Sequence, residues 1–184
     1  MNAESCCIGH PSVPAAHRVG RRRFVQLAGL GAGLSLLVGL APRPAGAGTA
    51  EVLLLSCMDY RLVDDVGAFM AELGLTEDYD HVILAGASAG AVHPAFADWH
   101  ATFWEHLQAA IDLHQVQRVM VIDHRDCGAY KIALGSDHLA TPDRERDAHS
   151  ELLGQLAAQI AERQPALAVE TYLMALDGSV ERIG

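Results

Sequence analysis

The sequence predicts an α/β fold, a mostly parallel central β-sheet flanked by helices. Strand-like apolar runs alternate with helix-length amphipathic segments beyond residue 48. The leading run, Glu51–Ser56, shows no polar alternation, as expected of a strand buried on both faces. The two segments richest in reactive side chains, 57–61 and 124–128, each follow such a run, and ligands of parallel sheets gather outside the carboxyl ends of the strands.

Glu51-Val52-Leu53-Leu54-Leu55-Ser56 gives the first strand, with Cys57 at its end. Leu62, Val66, Phe69, Met70 and Leu73 recur at helical spacing, and Gly74 closes that helix. His81–Ala85 reads as the second strand. Ala95–His114 reads as a long helix behind Pro94, with Phe96, Trp99, Phe103, Leu107, Ala110, Ile111 and Leu113 towards its buried side. Arg118–Asp123 is the third strand. Asp143–Gln164 is a helix with Leu152, Leu153, Leu156 and Ile160 inward, stopped by Pro165. Val169–Leu176 has strand character, and the turn Asp177-Gly178-Ser179 leads to a last short strand at Val180–Ile183.

Residues 1–47 read differently. Arg21-Arg22-Arg23-Phe24-Val25 precedes an uncharged apolar run from Leu27 to Leu40, and Ala45-Gly46-Ala47 forms an Ala-x-Ala cleavage pattern. This resembles a twin-arginine export signal, with the mature domain at 48–184 and a periplasmic destination. The alternative, a membrane anchor, is disfavoured by a run shorter than the roughly 20 residues a span needs. It also contains Gly29, Gly31, Gly33 and Gly39. Removing residues 1–47 takes five arginines and one glutamate from 13 basic and 23 acidic residues, leaving 8 and 22 and a formal charge of −14. Such a surface repels nucleic acid and gives no reason for binding to anionic lipid, so a small soluble substrate fits better.

Cys57-Met58-Asp59-Tyr60-Arg61 and His124-Arg125-Asp126-Cys127-Gly128 carry the chemistry. Thiolate sulfur and imidazole nitrogen suit Zn²⁺, and three protein ligands with a fourth position open is the catalytic pattern, so Cys57, His124 and Cys127 are the candidate metal ligands for one zinc per chain. Cys6 and Cys7 leave with the leader, so a Cys57–Cys127 disulfide is the competing reading in an oxidising compartment; it does not account for His124, Asp59 or Arg61. Export of an already folded chain would let a metal cap both thiolates in the cytoplasm.

Together the motifs resemble the β-class carbonic anhydrases, whose signature is Cys-x-Asp-x-Arg followed by His-x-x-Cys-Gly. The resemblance runs from about Val52 to the C-terminus and implies a zinc enzyme, usually a dimer or higher homo-oligomer, that reversibly hydrates carbon dioxide to bicarbonate through hydroxide held on the metal. Two thiolates cancel the ion's formal charge and make it a poorer Lewis acid than three imidazoles would. Asp59 is the candidate catalytic helper, orienting the attacking oxygen, and Arg61 keeps it ionised and in place. In some members the aspartate swings onto the metal and switches the site off. Asp126 is read either as a supporting acceptor for the backbone or Arg125, or as a solvated carboxylate. Gly128 is expected at positive φ, with amides facing sulfur. His93 and His138 are candidate proton shuttles among mostly surface or capping histidines. The helix around Phe96–Trp104 is read as core, with an interface as the alternative.

The chain departs from the family at Ala85-Gly86-Ala87-Ser88-Ala89-Gly90, where many relatives carry Arg-Asn-Ala-Gly. Only Ser88 offers a side-chain hydroxyl there. This apolar loop leaves open hydrolysis of carbonyl sulfide or carbon disulfide. A non-catalytic zinc-binding protein, or a thiol-based redox or sulfur-transfer enzyme, would also make use of the two cysteines.

Overall fold

The computed structural model describes residues 48–184; the export-signal expectation falls on residues 1–47, outside them. Five strands form one sheet in the order β2-β1-β3-β4-β5, with β1 Val52–Ser56, β2 Tyr79–Ile83, β3 Arg118–His124, β4 Ala168–Met174 and β5 Val180–Arg182. The first four are mutually parallel and β5 returns antiparallel to β4, so the α/β expectation holds.

The helices are α1 Val63–Glu72, α2 Ser88–Val92, α3 Ala97–His114, α4 Gly128–Leu134 and α5 Pro142–Arg163. Both sheet faces are covered, as the unbroken apolar runs of β1 and β3 require. Val52 and Leu54 pack with Met120, Ile122 and the α1 residues Val66 and Met70. Leu53 and Leu55 face the other way, among Phe103 and Leu107 of α3, Tyr130 of α4 and Leu153, Leu156 and Ile160 of α5. Thr141 caps α5 through the Arg144 amide at 3.2 Å, with Pro142 in its first turn. Gly74, at φ +77°, ends α1 in a Schellman motif: its own amide bonds the Ala71 carbonyl and the Leu75 amide that of Met70.

Several expectations are corrected. β2 starts two residues earlier than its apolar stretch, because its polar residues Tyr79 and Asp80 pair with Val52 and Leu53 at the sheet edge. Pro94 opens a short 3₁₀ turn, Pro94–Phe96, rather than α3 itself. On α3 Phe103, Leu107 and Ala110 are buried, whereas Leu113 and Trp99 are exposed, Trp99 stacked on Phe96 at 4.6 Å. The short helices α2 and α4 lie in segments for which the sequence predicts no helix. Among the described residues no helix is long and apolar enough to cross a membrane.

Candidate metal centre

Register places the chemistry. Ser56 pairs with Ile122, so Cys57 leaves β1 level with Asp123, one residue before His124 ends β3. The chain then turns through Arg125 and Asp126, and Cys127 becomes the residue that caps α4. The Cys57, His124 and Cys127 ligand atoms all lie within 4.8 Å of one another. The two sulfurs are 4.0 Å apart, close to the roughly 3.8 Å that two Zn–S bonds of about 2.3 Å subtend at a tetrahedral ion. His124 Nδ1–H donates to the Arg125 carbonyl at 2.8 Å, which leaves Nε2 as the lone-pair nitrogen. That Nε2 is buried and has no hydrogen-bond partner in the protein. A buried acceptor without a donor is costly, and a metal ion is the partner that fits both it and the sulfurs. The donor set can therefore hold a metal.

Electrostatics concentrate negative charge at Cys57. Hydrogen bonding to Cys127 outweighs burial and, with His124 and the Gly86 amide, pulls its thiol well below the ordinary range. The same pairing and burial push Cys127 up. The amides of Ala129 and Tyr130 at the start of α4 face the Cys127 sulfur and act in the opposite sense, without closing a full cap hydrogen bond. For His124 burial opposes the charged form, but the Cys57 thiolate prevails and its pKa is raised.

Asp59 and Arg61 meet as a two-point pair. Arg61 Nε donates to Asp59 Oδ1 at 2.9 Å and Nη2 to Oδ2 at 2.8 Å, while the Arg61 amide adds a third bond to Oδ1 at 3.0 Å. The guanidinium holds the Asp59 carboxyl down to about 2. Asp59 Oδ2 stands 3.8 Å from His124 Nε2, at the edge of the candidate metal position.

Asp126 differs from expectation. It accepts from Arg61 at 3.0 Å and Lys131 at 2.5 Å, not from Arg125, and Lys131 first and Arg61 second lower its pKa. Arg125 turns instead to Glu145 of α5, 3.2 Å away. The buried Glu145 also accepts the Asp126 amide at 2.5 Å, fixing the turn between His124 and Cys127. The positive φ expected at Gly128 falls on Asp126, φ +56°, a conformation aspartate tolerates better than most residues. Gly128 is the first residue of α4 and has open space where a Cβ would stand.

Gly86 is the glycine the site requires. At φ +77° its amide donates to Cys57 Sγ at 3.2 Å, and a Cβ there would lie 2.8 Å from that of Ala129. Ser88 does not reach a substrate space, because its hydroxyl is buried against Asp123 at 2.6 Å and Tyr130 at 2.8 Å. His93 is a cap, its Nδ1 accepting the Ala95 amide at 3.1 Å. His138 is buried, with Nδ1–H on the Gly135 carbonyl at 2.6 Å, a poor position for passing protons to solvent. Reading the sequence missed Asp123, Tyr130, His149 and Glu145. Its one available signal was the acidic residue at the end of the otherwise apolar run Val119–Ile122.

Fold and site together define a class: an α/β protein with a Cys/His/Cys cluster, able to hold a metal ion, at the carboxyl ends of its parallel strands. Residues 48–183 match the family described as "Putative carbonic anhydrase", and the chain belongs to that family. Two relatives, from Rickettsia bellii (strain RML369-C) and Rickettsia conorii (strain ATCC VR-613 / Malish 7), are each 40% identical over 134 residues. These matches span 73% of this chain and 82% and 72% of the relatives, both named only as uncharacterized proteins. Among solved structures, a tetrameric β-carbonic anhydrase of Sordaria macrospora superposes with a TM-score of 0.51 at 15% identity, over 76% of this chain and 83% of that one. The β-carbonic anhydrase CafA of Aspergillus fumigatus gives 0.50 at 22% identity, over 78% and 79%. Both likenesses concern the fold.

Proposed function

We propose that this chain is a zinc-dependent carbonic anhydrase that interconverts carbon dioxide and bicarbonate, with Cys57, His124 and Cys127 holding the ion and Asp59 and Arg61 serving the reaction. The observation that carries the reading is the convergence of three ligand atoms beside a carboxylate that Arg61 keeps ionised. Zinc, when bound, supplies the Lewis acidity that makes a hydroxide nucleophile available near neutral pH.

The remaining work belongs to the protein's own groups. Asp59 stays an acceptor across the physiological range, so Oδ2 takes the hydrogen bond of the attacking oxygen and points its lone pair at the substrate carbon. Arg61 fixes the carboxylate plane through two parallel bonds. Met58 and Tyr60, which flank Asp59 in sequence, are both exposed. The Gly86 amide and the start of α4 balance charge on the two sulfurs.

The tetrameric state of the Sordaria macrospora neighbour supports a homo-oligomer here as well. Export by the twin-arginine route to the periplasm is part of the proposal, and N-terminal sequencing of the secreted chain tests it, with Gly48 expected as the first residue.

The deciding experiment is zinc content without chelator, together with stopped-flow hydration of carbon dioxide by wild type and Asp59→Ala. Stoichiometric zinc and hydration that falls by about 10²-fold in the variant support the proposal. Zinc with hydrolysis of carbonyl sulfide or carbon disulfide, but no hydration, moves the substrate. A zinc-free Cys57–Cys127 disulfide ends the metalloenzyme reading.

A further inference from the structure

A second polar cluster lies wholly inside the protein, behind the candidate ligands. The Asp123 carboxylate, 1% exposed, takes the Ser88 amide on Oδ1 at 3.0 Å. Its Oδ2 takes the Ser88 hydroxyl at 2.6 Å, the Tyr130 hydroxyl at 2.5 Å and His149 Nδ1 at 3.1 Å. Ser88, Tyr130 and His149 are fully buried. Taking a carboxyl group out of water costs several kcal/mol, and an apolar side chain of similar volume would pack a strand end at less expense. The polar bonds therefore call for a role beyond packing.

The placement of the partners supplies one. Ser88 sits two residues after Gly86, whose amide bonds the Cys57 sulfur at 3.2 Å. Between them Ala87 is held at φ 41°, ψ −99°, a conformation an L-residue keeps only when its neighbours fix it. Tyr130 is three residues beyond Cys127, one turn into α4, and its own amide faces the Cys127 sulfur. Asp123 itself is joined to His124. One carboxylate thus touches the segment behind each of the three candidate ligands, and neither sequence motif contains it.

We propose that Asp123 is a positioning residue of the metal centre: by clamping Ser88 and Tyr130 it sets the loop amide on Cys57 and the α4 start at Cys127, and so fixes the distance between the two sulfurs and His124. The proposal rests on the zinc reading of the site. Ser88 and Tyr130 transmit the effect, and none of the three touches substrate.

The test uses the full chain with Asp123→Asn, Ser88→Ala and Tyr130→Phe. Zinc affinity is measured by competition with a chromophoric chelator, and the cobalt-substituted protein gives the thiolate charge-transfer spectrum. In chelator-treated protein, amide hydrogen exchange at Gly86 is read by NMR. Asp123→Asn is expected to weaken zinc binding about 10- to 100-fold and to alter the cobalt spectrum. It should also speed Gly86 exchange by about tenfold, the equivalent of losing one hydrogen bond. Ser88→Ala moves all three readouts in the same direction. Folded variants with wild-type affinity, spectrum and exchange overturn the proposal. If Asp123→Asn does not fold, Ser88→Ala and Tyr130→Phe, each removing one hydroxyl, decide it by the same criteria. If wild type binds neither zinc nor cobalt, the zinc reading fails, and Gly86 exchange still decides whether Asp123 sets the loop.

Discussion

Gly86→Ala should be far more damaging than Gly74→Ala, although both glycines have φ +77°. At Gly74 nothing lies within 4 Å of an added Cβ, so the substitution meets only the left-handed backbone penalty of about 1–2 kcal/mol. At Gly86 the same methyl would stand 2.8 Å from Ala129 Cβ and 3.2 Å from Ala89 Cβ. Both neighbours are short side chains tied directly to helix backbone, so neither can swing aside. Overpacking of this kind adds about 1–3 kcal/mol, for a total of about 2–5 kcal/mol. Relief would come from moving α4 away from the loop, which carries Cys127 away from Cys57. Equilibrium urea unfolding of chelator-treated protein measures the difference, and zinc competition measures the effect on the site. Equal destabilisation of the two variants, within about 0.5 kcal/mol, would refute the claimed close contact between the loop and α4.

Removing the Arg61 clamp should change how Asp59 titrates. The native carboxyl sits near 2, below its ordinary 3.8, so its charge-dependent contacts persist above that range and are lost only as pH falls through about 2. In Arg61→Gln the loss should begin near the ordinary value, visible as an inflection in the Asp59 carboxyl resonance at moderately acidic pH; an unchanged titration would show that Arg61 does not hold it. Stripping the metal should lower thermal stability. At free zinc near one hundred times Kd, binding contributes about 2.7 kcal/mol, a fall in Tm of roughly 5–10 °C on chelation for a domain of this size. Recovery on adding zinc back, absent in Cys127→Ala, assigns the effect to the cluster.

What the sequence reveals follows from the range of the interactions involved. β1 and β3 are legible because burial on both faces demands an unbroken apolar run, visible within five or six residues. Gly74 is legible because its role as a helix stop is local. The helices α2 and α4 are not, since five and seven residues give no clear helical period. The clamp on Asp123 joins residues 35, 7 and 26 positions away. No window contains it, and its only trace is an acid where the strand pattern calls for an apolar residue. Gly128 misled for a related reason: a turn was needed before α4, but Asp126 supplies it, supported by Glu145 from 19 residues further on.

The two motifs are chemically interdependent. Arg61 of the first bonds both oxygens of Asp59 and also Asp126 Oδ2 and carbonyl, at 3.0 and 3.2 Å, in the second. Asp126 is in turn bound by Lys131 and, through its amide, by Glu145. For Asp59 to swing onto a metal it would have to give up three donors, two of them from the guanidinium, and release Arg61 to rearrange at Asp126. Asp59 is held by Arg61 with its Oδ2 3.8 Å from His124 Nε2. The segment that supplies Cys57 and the turn that supplies His124 and Cys127 therefore set each other's geometry, so a change at Asp126 reaches Asp59 without touching either cysteine.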